Sequence, residues 1–131
     1  MERLKQRIQI ANKAIKTLDE VLSIESPNSI ERDALIQRFE YSFEAIWKTV
    51  KRFLNIVEGV EANSPKAVIR VSMETGLFDE EMTRQALVMA DDRNLTSHTY
   101  NEELAQQITS RIPQHAVVLK HWLFVVENRL K

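Results

Sequence analysis

The segment RNLTSHTY carries the side chains whose types and spacing best suit chemistry on a phosphodiester. Imidazole titrates near neutral pH, so His98 suits general acid or general base catalysis. The guanidinium of Arg93 stays charged and can bind phosphate oxygens through two parallel hydrogen bonds. Asn94, Ser97 and Tyr100 offer further hydrogen-bonding groups. Because the 2′-hydroxyl of RNA can act as an internal nucleophile, this set would suffice for RNA cleavage without a protein nucleophile, a metal or a cofactor.

The spacing of Arg93 and His98 constrains how they can meet. Five residues at about 100° each place them roughly 140° apart on a continuous helix, where they cannot converge. Either the helix ends between them, which the polar run from Thr96 to Asn101 permits, or one site combines residues from two copies of the chain. Two interpretations without catalysis stand beside these. Arg93 could pair with Asp91 or Asp92, and His98 could merely cap a helix.

Composition bounds the class of protein. The chain has 131 residues, of which 44% are hydrophobic and 28% charged, and we expect one domain over residues 1–131. The scarcity of glycine and proline, 2 and 3 residues, argues against a turn-rich β fold. The formal net charge of -1 gives no basic excess for bulk binding of nucleic acid, so any contact with RNA must be local.

The sequence has no cysteine, no signal-peptide pattern and no membrane-spanning stretch, and these absences bear on its chemistry and location. There is no cysteine, which excludes disulfides, thiolate metal sites and cysteine nucleophiles. No N-terminal stretch resembles a signal peptide, and no window is long enough to span a bilayer. We therefore expect a cytoplasmic protein with no membrane partner.

Apolar periodicity predicts five helices. Hydrophobic residues recur at spacings of four and three along the chain, which is the stripe of a helix packed in a bundle. Asn28, Ser64, Asp79 and Asn101 are expected to cap helices, and Gly59 and Gly76 to end them. The predicted helices are Arg3–Ser23, about Ile30–Glu58, about Pro65–Thr75, Asp79 towards Arg93, and about Glu102–Leu130.

The last predicted helix has two unusual features. Pro113 lies inside it, so we expect a kink or short break near Arg111. It also has a second apolar line formed by Val118, Trp122 and Val125. Burial of this line against neighbouring helices and a homodimer contact explain it equally well.

Other charged and titratable residues predict little chemistry. His115 and His121 are too far apart in angle on a straight helix to share a metal, so we interpret them as surface or helix-packing histidines and expect no metal site. A run of charges on the second helix predicts a solvated face with one helical-turn ion pair. Its members are Glu40, Glu44, Lys48, Lys51 and Arg52.

Two stretches together resemble a known family. FEYSFEAIW, from Phe39 to Trp47, and RNLTSHTYNEE are similar to the HEPN proteins once named nucleotidyltransferase substrate-binding proteins. That family's signature is Arg, four residues, His, one residue and Tyr, which Arg93, His98 and Tyr100 match without departure. The resemblance covers nearly the whole chain in helix order and lengths.

The resemblance implies a fold, a partner and a function. It implies an all-α, up-and-down bundle of four or five helices, forming a homodimer in which two copies of the motif face one cleft. It implies a minimal nucleotidyltransferase (MNT) partner and a metal-independent endoribonuclease toxin that this partner neutralises, in some cases by adding AMP to the motif tyrosine. Arg93 and His98 would then be catalytic, Asn94 and Ser97 supporting, and Tyr100 both supporting and the modified residue.

Two other functions compete with a ribonuclease. The chain could be the non-catalytic subunit that presents substrate to a nucleotidyltransferase, which a net charge near zero mildly favours. It could also be a purely structural helical dimer in which the motif arose by chance. Cleavage of RNA by the chain alone, lost with His98→Ala, separates the first function from both alternatives.

Overall fold

The computed structural model describes residues 1–131 and consists of five α-helices with no β-strand. None of these helices combines the length and the apolar character needed to cross a bilayer. A single 3₁₀ turn, Thr96–His98, separates the fourth helix from the fifth. The helices are α1 Glu2–Leu22, α2 Ser29–Val57, α3 Pro65–Glu74, α4 Glu80–Leu95 and α5 Glu102–Arg129.

Four helices begin at side-chain caps, as predicted. In each case a side-chain oxygen accepts a hydrogen bond from the backbone N–H three residues later, which satisfies one of the unpaired donors of the first turn. At α2, Asn28 accepts from Glu31 at 2.8 Å, and the Glu31 carboxylate accepts from the Asn28 N–H at 2.9 Å. The capping residues are Asn28, Ser64, Asp79 and Asn101.

Two glycines follow the ends of α2 and α3. Gly59 has a φ of 68° and Gly76 a φ of 81°, the left-handed region that other residues rarely adopt. Both positions were predicted as helix ends. The helices end slightly earlier than expected, at Val57 and Glu74.

The helices form an up-and-down bundle around one core of 32 buried hydrophobic residues. The apolar stripe of α1 packs against α2, and α5 packs against α1, α2 and α4. Large side chains fill the centre, including Phe39, Phe43 and Phe53 on α2 and Trp122 on α5, all essentially inaccessible to solvent. The predicted all-α fold is confirmed.

Of the kink or short break predicted near Arg111, the short break is absent. The last helix runs without interruption from Glu102 to Arg129. Proline cannot donate a hydrogen bond to the carbonyl four residues earlier, here that of Thr109, so it weakens the helix locally. Ile112 and Ala116, on either side of Pro113, are both buried in the core, and this packing holds the helix together through the proline.

The second apolar line of α5 belongs to the core. Val118 and Trp122 are fully buried, and Val125 is half-buried. The Trp122 indole donates a hydrogen bond of 2.9 Å to the hydroxyl of Ser72 on α3. Of the two explanations that the sequence left open, burial against neighbouring helices accounts for this line, which therefore gives no support to a dimer contact.

Candidate functional site

The segment singled out from the sequence lies where α4 ends. Helix α4 stops at Leu95, and the 3₁₀ turn Thr96–His98 follows. Two threonine hydroxyls lie within hydrogen-bonding distance of backbone carbonyls at this helix end. The Thr96 hydroxyl lies 2.7 Å from the carbonyl of Arg93, and the Thr99 hydroxyl lies 3.1 Å from that of Thr96. The helix therefore ends between Arg93 and His98, which is the first of the two arrangements that their spacing allowed.

Arg93 occupies the last turn of α4 and is half-buried between two carboxylates of α2. Its Nη1 lies 3.4 Å from Glu40, and its Nε lies 3.5 Å from Glu44. The only hydrogen bond from its guanidinium is the one of 3.1 Å from Nη1 to the Thr96 hydroxyl, which lies 2.9 Å from the Glu40 carboxylate. The Nε of Arg93 is buried and has no hydrogen-bond partner, so only the N–H groups on its two Nη atoms can bind a ligand.

Two expectations about the charges near Arg93 are wrong. Arg93 does not pair with Asp91 or Asp92, because Asp91 forms an ion pair of 2.6 Å with Lys66 and Asp92 points into the protein. Nor is the charged run on α2 simply a solvated face. Only the expected ion pair between Glu44 and Lys48, at 3.6 Å, is present as predicted. The carboxylates of this run contact Arg93, and its two last members, Lys51 and Arg52, are half-buried.

His98 and Tyr100 are exposed, and neither side chain makes a hydrogen bond. Tyr100 is 87% accessible, and its ring meets the imidazole edge-on with centroids 6.2 Å apart. The interpretation of His98 as a helix cap is wrong, because the cap of α5 is the side chain of Asn101. The imidazole nitrogens and the phenolic hydroxyl are thus open to an incoming ligand.

Three of the five candidate residues line two different clefts in one copy of the chain, whereas His98 and Ser97 line neither cleft. Arg93 and Asn94 line a cleft of about 350 Å³ between α2, α3 and α4. Tyr100 lines another, of about 290 Å³, together with Thr99 and Glu40. Glu40 stands between the two clefts, since the same carboxylate also faces Arg93.

Ser97, the remaining predicted residue, is exposed on the turn that follows α4. Its hydroxyl makes a long hydrogen bond of 3.4 Å to the carbonyl of Asn94. A ligand with a better acceptor can displace so weak a bond.

A buried polar cluster lies directly behind Arg93, and the sequence reasoning missed it. Asp92 is 3% exposed and accepts two hydrogen bonds from Arg111, of 2.7 and 2.8 Å. Its Oδ2 also lies 2.6 Å from Nε2 of His115, which is itself 3% exposed and stacks on Phe39 at 5.4 Å. The pattern was visible, since Asp92 continues the buried stripe of α4 and Arg111 and His115 lie four residues apart on the facing helix.

The cluster has a defined protonation state at neutral pH. Burial lowers the pKa of His115, and this outweighs the opposite effect of the Asp92 carboxylate. Burial would raise the pKa of Asp92, but the hydrogen bonds from Arg111 and His115 outweigh it and the pKa lies below its ordinary value. His115 is therefore neutral, with its proton on Nε2 donated to Asp92. Its buried Nδ1 has no partner, which is less costly for a bare lone pair than for an N–H group.

The two histidines of α5 serve packing. His121 stacks on Phe78 with ring centroids 6.2 Å apart, whereas His115 faces Phe39 and Asp92. No group of three or more His, Asp or Glu side chains in the structure is arranged to hold a metal ion. The interpretation of both residues as helix-packing histidines is thus the right one.

Comparison with known proteins relates the whole chain to one family. A family model described as nucleotidyltransferase substrate binding protein like matches residues 6–126. A probable ribonuclease HepT from Haemophilus influenzae is 32% identical over an alignment of 92 residues, which covers 64% of this chain and 62% of that protein. The chain thus spans less than two thirds of that relative's length.

Solved structures show the same fold. A crystal structure of a Thermus thermophilus protein has 50% sequence identity and a TM-score of 0.86, covering 88% of this chain and 98% of the other. A tri-AMPylated Shewanella oneidensis HEPN toxin in complex with MNT antitoxin gives a TM-score of 0.77 at 15% identity, covering 95% and 96% of the two chains. The second likeness establishes the fold alone.

Proposed function

Because the chain belongs to the HEPN-type family of nucleotidyltransferase substrate-binding proteins, we propose that it is the HEPN member of a two-component HEPN/MNT system. In this proposal it is a metal-independent endoribonuclease toxin, and its partner is a minimal nucleotidyltransferase that neutralises it. The single observation that carries the proposal is the state of its motif. The guanidinium of Arg93 makes one hydrogen bond, from Nη1 to Thr96, and the exposed His98 uses none of its nitrogens.

The proposed reaction is transesterification of RNA. The 2′-oxygen bonds to the adjacent phosphorus as its proton leaves, and the bond from phosphorus to the 5′-oxygen breaks as that oxygen gains a proton. The products are a 2′,3′-cyclic phosphate and a 5′-hydroxyl. His98 transfers one of these protons, and Arg93 stabilises the charge that develops on the phosphate oxygens. Asn94, Ser97 and Tyr100 support the bound nucleotide.

A homodimer would complete this site. Within one copy, Arg93 and Tyr100 line separate clefts. A second copy of the motif facing the first would bring a further Arg93 and His98 to the same RNA, so that one imidazole removes a proton while the other donates one. The proposal therefore includes a dimer in which both subunits contribute to the site.

Tyr100 is the proposed site of control by the partner. Its hydroxyl is exposed and makes no hydrogen bond, so it can reach the α-phosphorus of ATP in a partner's active site. The phenolic oxygen would bond to that phosphorus, pyrophosphate would leave, and the phenolic proton would be released to solvent. The AMP group adds bulk and negative charge beside His98. The added bulk blocks access of RNA to the motif, and the added charge repels RNA phosphate.

The test is cleavage of RNA by the purified chain in the presence of EDTA. We expect 5′-hydroxyl and 2′,3′-cyclic phosphate ends from the wild type, and a rate at least about 100-fold lower for His98→Ala. His121→Ala is the matched control, because it removes a histidine that lies outside the motif. Expression alone should arrest growth, and co-expression of the MNT partner should relieve the arrest. No cleavage by the wild type would exclude the ribonuclease, and equal cleavage by the wild type and His98→Ala would exclude His98 as its catalytic group.

The second candidate function is a non-catalytic subunit that presents substrate to the nucleotidyltransferase. It is favoured by the two carboxylates beside Arg93, which weaken its attraction for phosphate. It predicts tight copurification with the partner, no RNA cleavage and no growth arrest. RNA cleavage and growth arrest by the chain expressed alone would therefore support the ribonuclease, and the absence of both would support the non-catalytic subunit.

A further inference from the structure

A cleft of about 420 Å³ lies between α1, α2 and the segment that joins α2 to α3, away from the candidate motif. Four cations line it, Arg7 from α1 and Lys48, Lys51 and Arg52 from α2. One carboxylate, Glu61, faces them, which leaves three net positive charges in a chain whose overall charge is -1. We call this the basic cleft.

The cations of the basic cleft are largely without counter-ions. Arg7, Lys51 and Arg52 make no ion pair within 4.0 Å, and Lys48 has only Glu44, at 3.6 Å. Lys51 and Arg52 are moreover half-buried. Holding like charges together at partly desolvated positions is unfavourable unless an anion neutralises them, so the arrangement indicates a binding site for an anionic group.

The basic cleft connects to the proposed catalytic motif along α2. A smaller cleft of about 170 Å³ shares Arg7 and Lys48 with it and includes Glu44, whose carboxylate faces Arg93. From Glu44 to Arg52 the helix rises about 12 Å, at 1.5 Å per residue. A few nucleotides of single strand can cover that distance.

We propose that the basic cleft binds the phosphate backbone of the single-stranded RNA that is cut at the motif, a step that rests on the proposed function. Lys48, Lys51 and Arg52 extend over about 6 Å of α2, at 1.5 Å per residue, and Arg7 lies on α1, an arrangement that suits successive phosphates better than a single small anion. The amides of Asn55 and Asn63 line the same cleft and offer hydrogen bonds to bases or sugars. Because the positive charge is concentrated in this cleft, RNA can bind there although the net charge of the whole chain is negative.

The experiment measures binding of a short fluorescein-labelled oligouridylate by fluorescence anisotropy, in the His98→Ala background so that the RNA stays intact. The test variant is Lys51→Gln with Arg52→Gln. The matched control is Lys13→Gln with Lys16→Gln, which removes the same charge from exposed lysines of α1 outside the cleft. A second variant, Arg7→Gln with Lys48→Gln, probes the same cleft at exposed positions, where folding is not at stake.

We expect roughly tenfold weaker binding for both cleft variants at moderate salt, and little change for the control. Loss of two phosphate contacts should also lower the slope of log K against log salt by about 1.4. If the wild type binds in this way but never cleaves RNA, the ribonuclease is excluded and the basic cleft stands. If both cleft variants bind RNA as the control does, or lose only their association with the MNT partner, the inference is overturned. Absence of RNA binding by the parent protein would overturn it equally.

Discussion

Two histidines of this chain have opposite surroundings. His115 is 3% exposed, hydrogen-bonded to Asp92 at 2.6 Å and stacked on Phe39. His98 is exposed, and its side chain makes no hydrogen bond and meets only Tyr100 edge-on. Except for Nδ1 of His115, the polar groups of the buried cluster are hydrogen-bonded within the protein, whereas the side chains of His98 and Tyr100 make no hydrogen bond. The first region should contribute to stability, whereas the second is the one that we propose binds a ligand, which gives different predictions for variants in each.

The largest effect on stability is expected from Asp92→Ala. This change leaves Arg111 and the buried His115 without their shared acceptor, so the free energy of unfolding should fall by about 3 kcal/mol. Urea denaturation measures it. Asp91→Ala is the matched control, because its ion pair with Lys66 is exposed and should contribute less than about 1 kcal/mol. Similar losses for both variants would contradict the contrast between the two regions.

Lowering the pH should reduce the free energy of unfolding by less than Asp92→Ala does, because protonation removes no side chain. The lowered pKa of His115 means that the unfolded chain binds more protons at this residue than the folded one. The free energy of unfolding should therefore be highest above the ordinary value of 6.5 and fall as pH drops through it towards the folded-state pKa. The lowered pKa of Asp92 adds a second loss, which begins only near its ordinary value of 3.8 and continues below it.

The measurement is the urea midpoint from neutral to acidic pH, for the wild type and His115→Gln. The variant lacks the titrating group, so its stability should change less than that of the wild type around pH 6.5. A wild-type curve that rises on acidification in this range would have the wrong sign for a buried neutral histidine.

A still smaller effect on stability is expected from His98→Ala, the variant expected to abolish RNA cleavage. Because the His98 side chain is exposed and unbonded, the free energy of unfolding should change by less than about 0.5 kcal/mol. Denaturation and cleavage should be measured on the same preparation. A loss of several kcal/mol would mean that His98 belongs to the packed structure, and the contrast with His115 would fail.

The smallest effect on stability is expected from Tyr100→Phe, because an exposed hydroxyl without a partner contributes almost nothing to folding. The same change should prevent labelling by the MNT partner supplied with radioactive ATP. Tyr41→Phe is the natural control, since Tyr41 is the only other tyrosine and its hydroxyl contacts Thr17. Labelling that persists in Tyr100→Phe would place the modification elsewhere.

Most of the fold could be predicted from the sequence, because local rules determine it. Apolar spacing gives the five helices, and short polar side chains such as Asn28 and Asp79 mark where they begin. The short break near Arg111 was predicted wrongly because the same local rules ignore the packing of Ile112 and Ala116 against the rest of the core. Where tertiary burial on both sides of a helix opposes a local weakness, burial decides the outcome.

The candidate site was less predictable, since its environment depends on contacts between distant segments. The sequence indicated Arg93 and His98 and the helix end between them. It did not indicate that Glu40 and Glu44 would flank Arg93, because an exposed charged run and a run facing a neighbouring helix have the same pattern. The Asp92 cluster was missed for the same reason, as its members come from separate helices.

Asp92 points into the core and Arg93 points into a cleft, so the number of residues in α4 determines which side chain takes which direction. Successive residues of a helix point about 100° apart, so deleting one residue between the cap at Asp79 and Asp92 would turn Arg93 inward, opposite Arg111 and His115. Inserting one would bring Asp91 to the inward position and turn the motif arginine away from its cleft. Changes in the length of α4 therefore keep Asp92 in the core and Arg93 in its cleft only when they amount to about one turn, which is 3.6 residues.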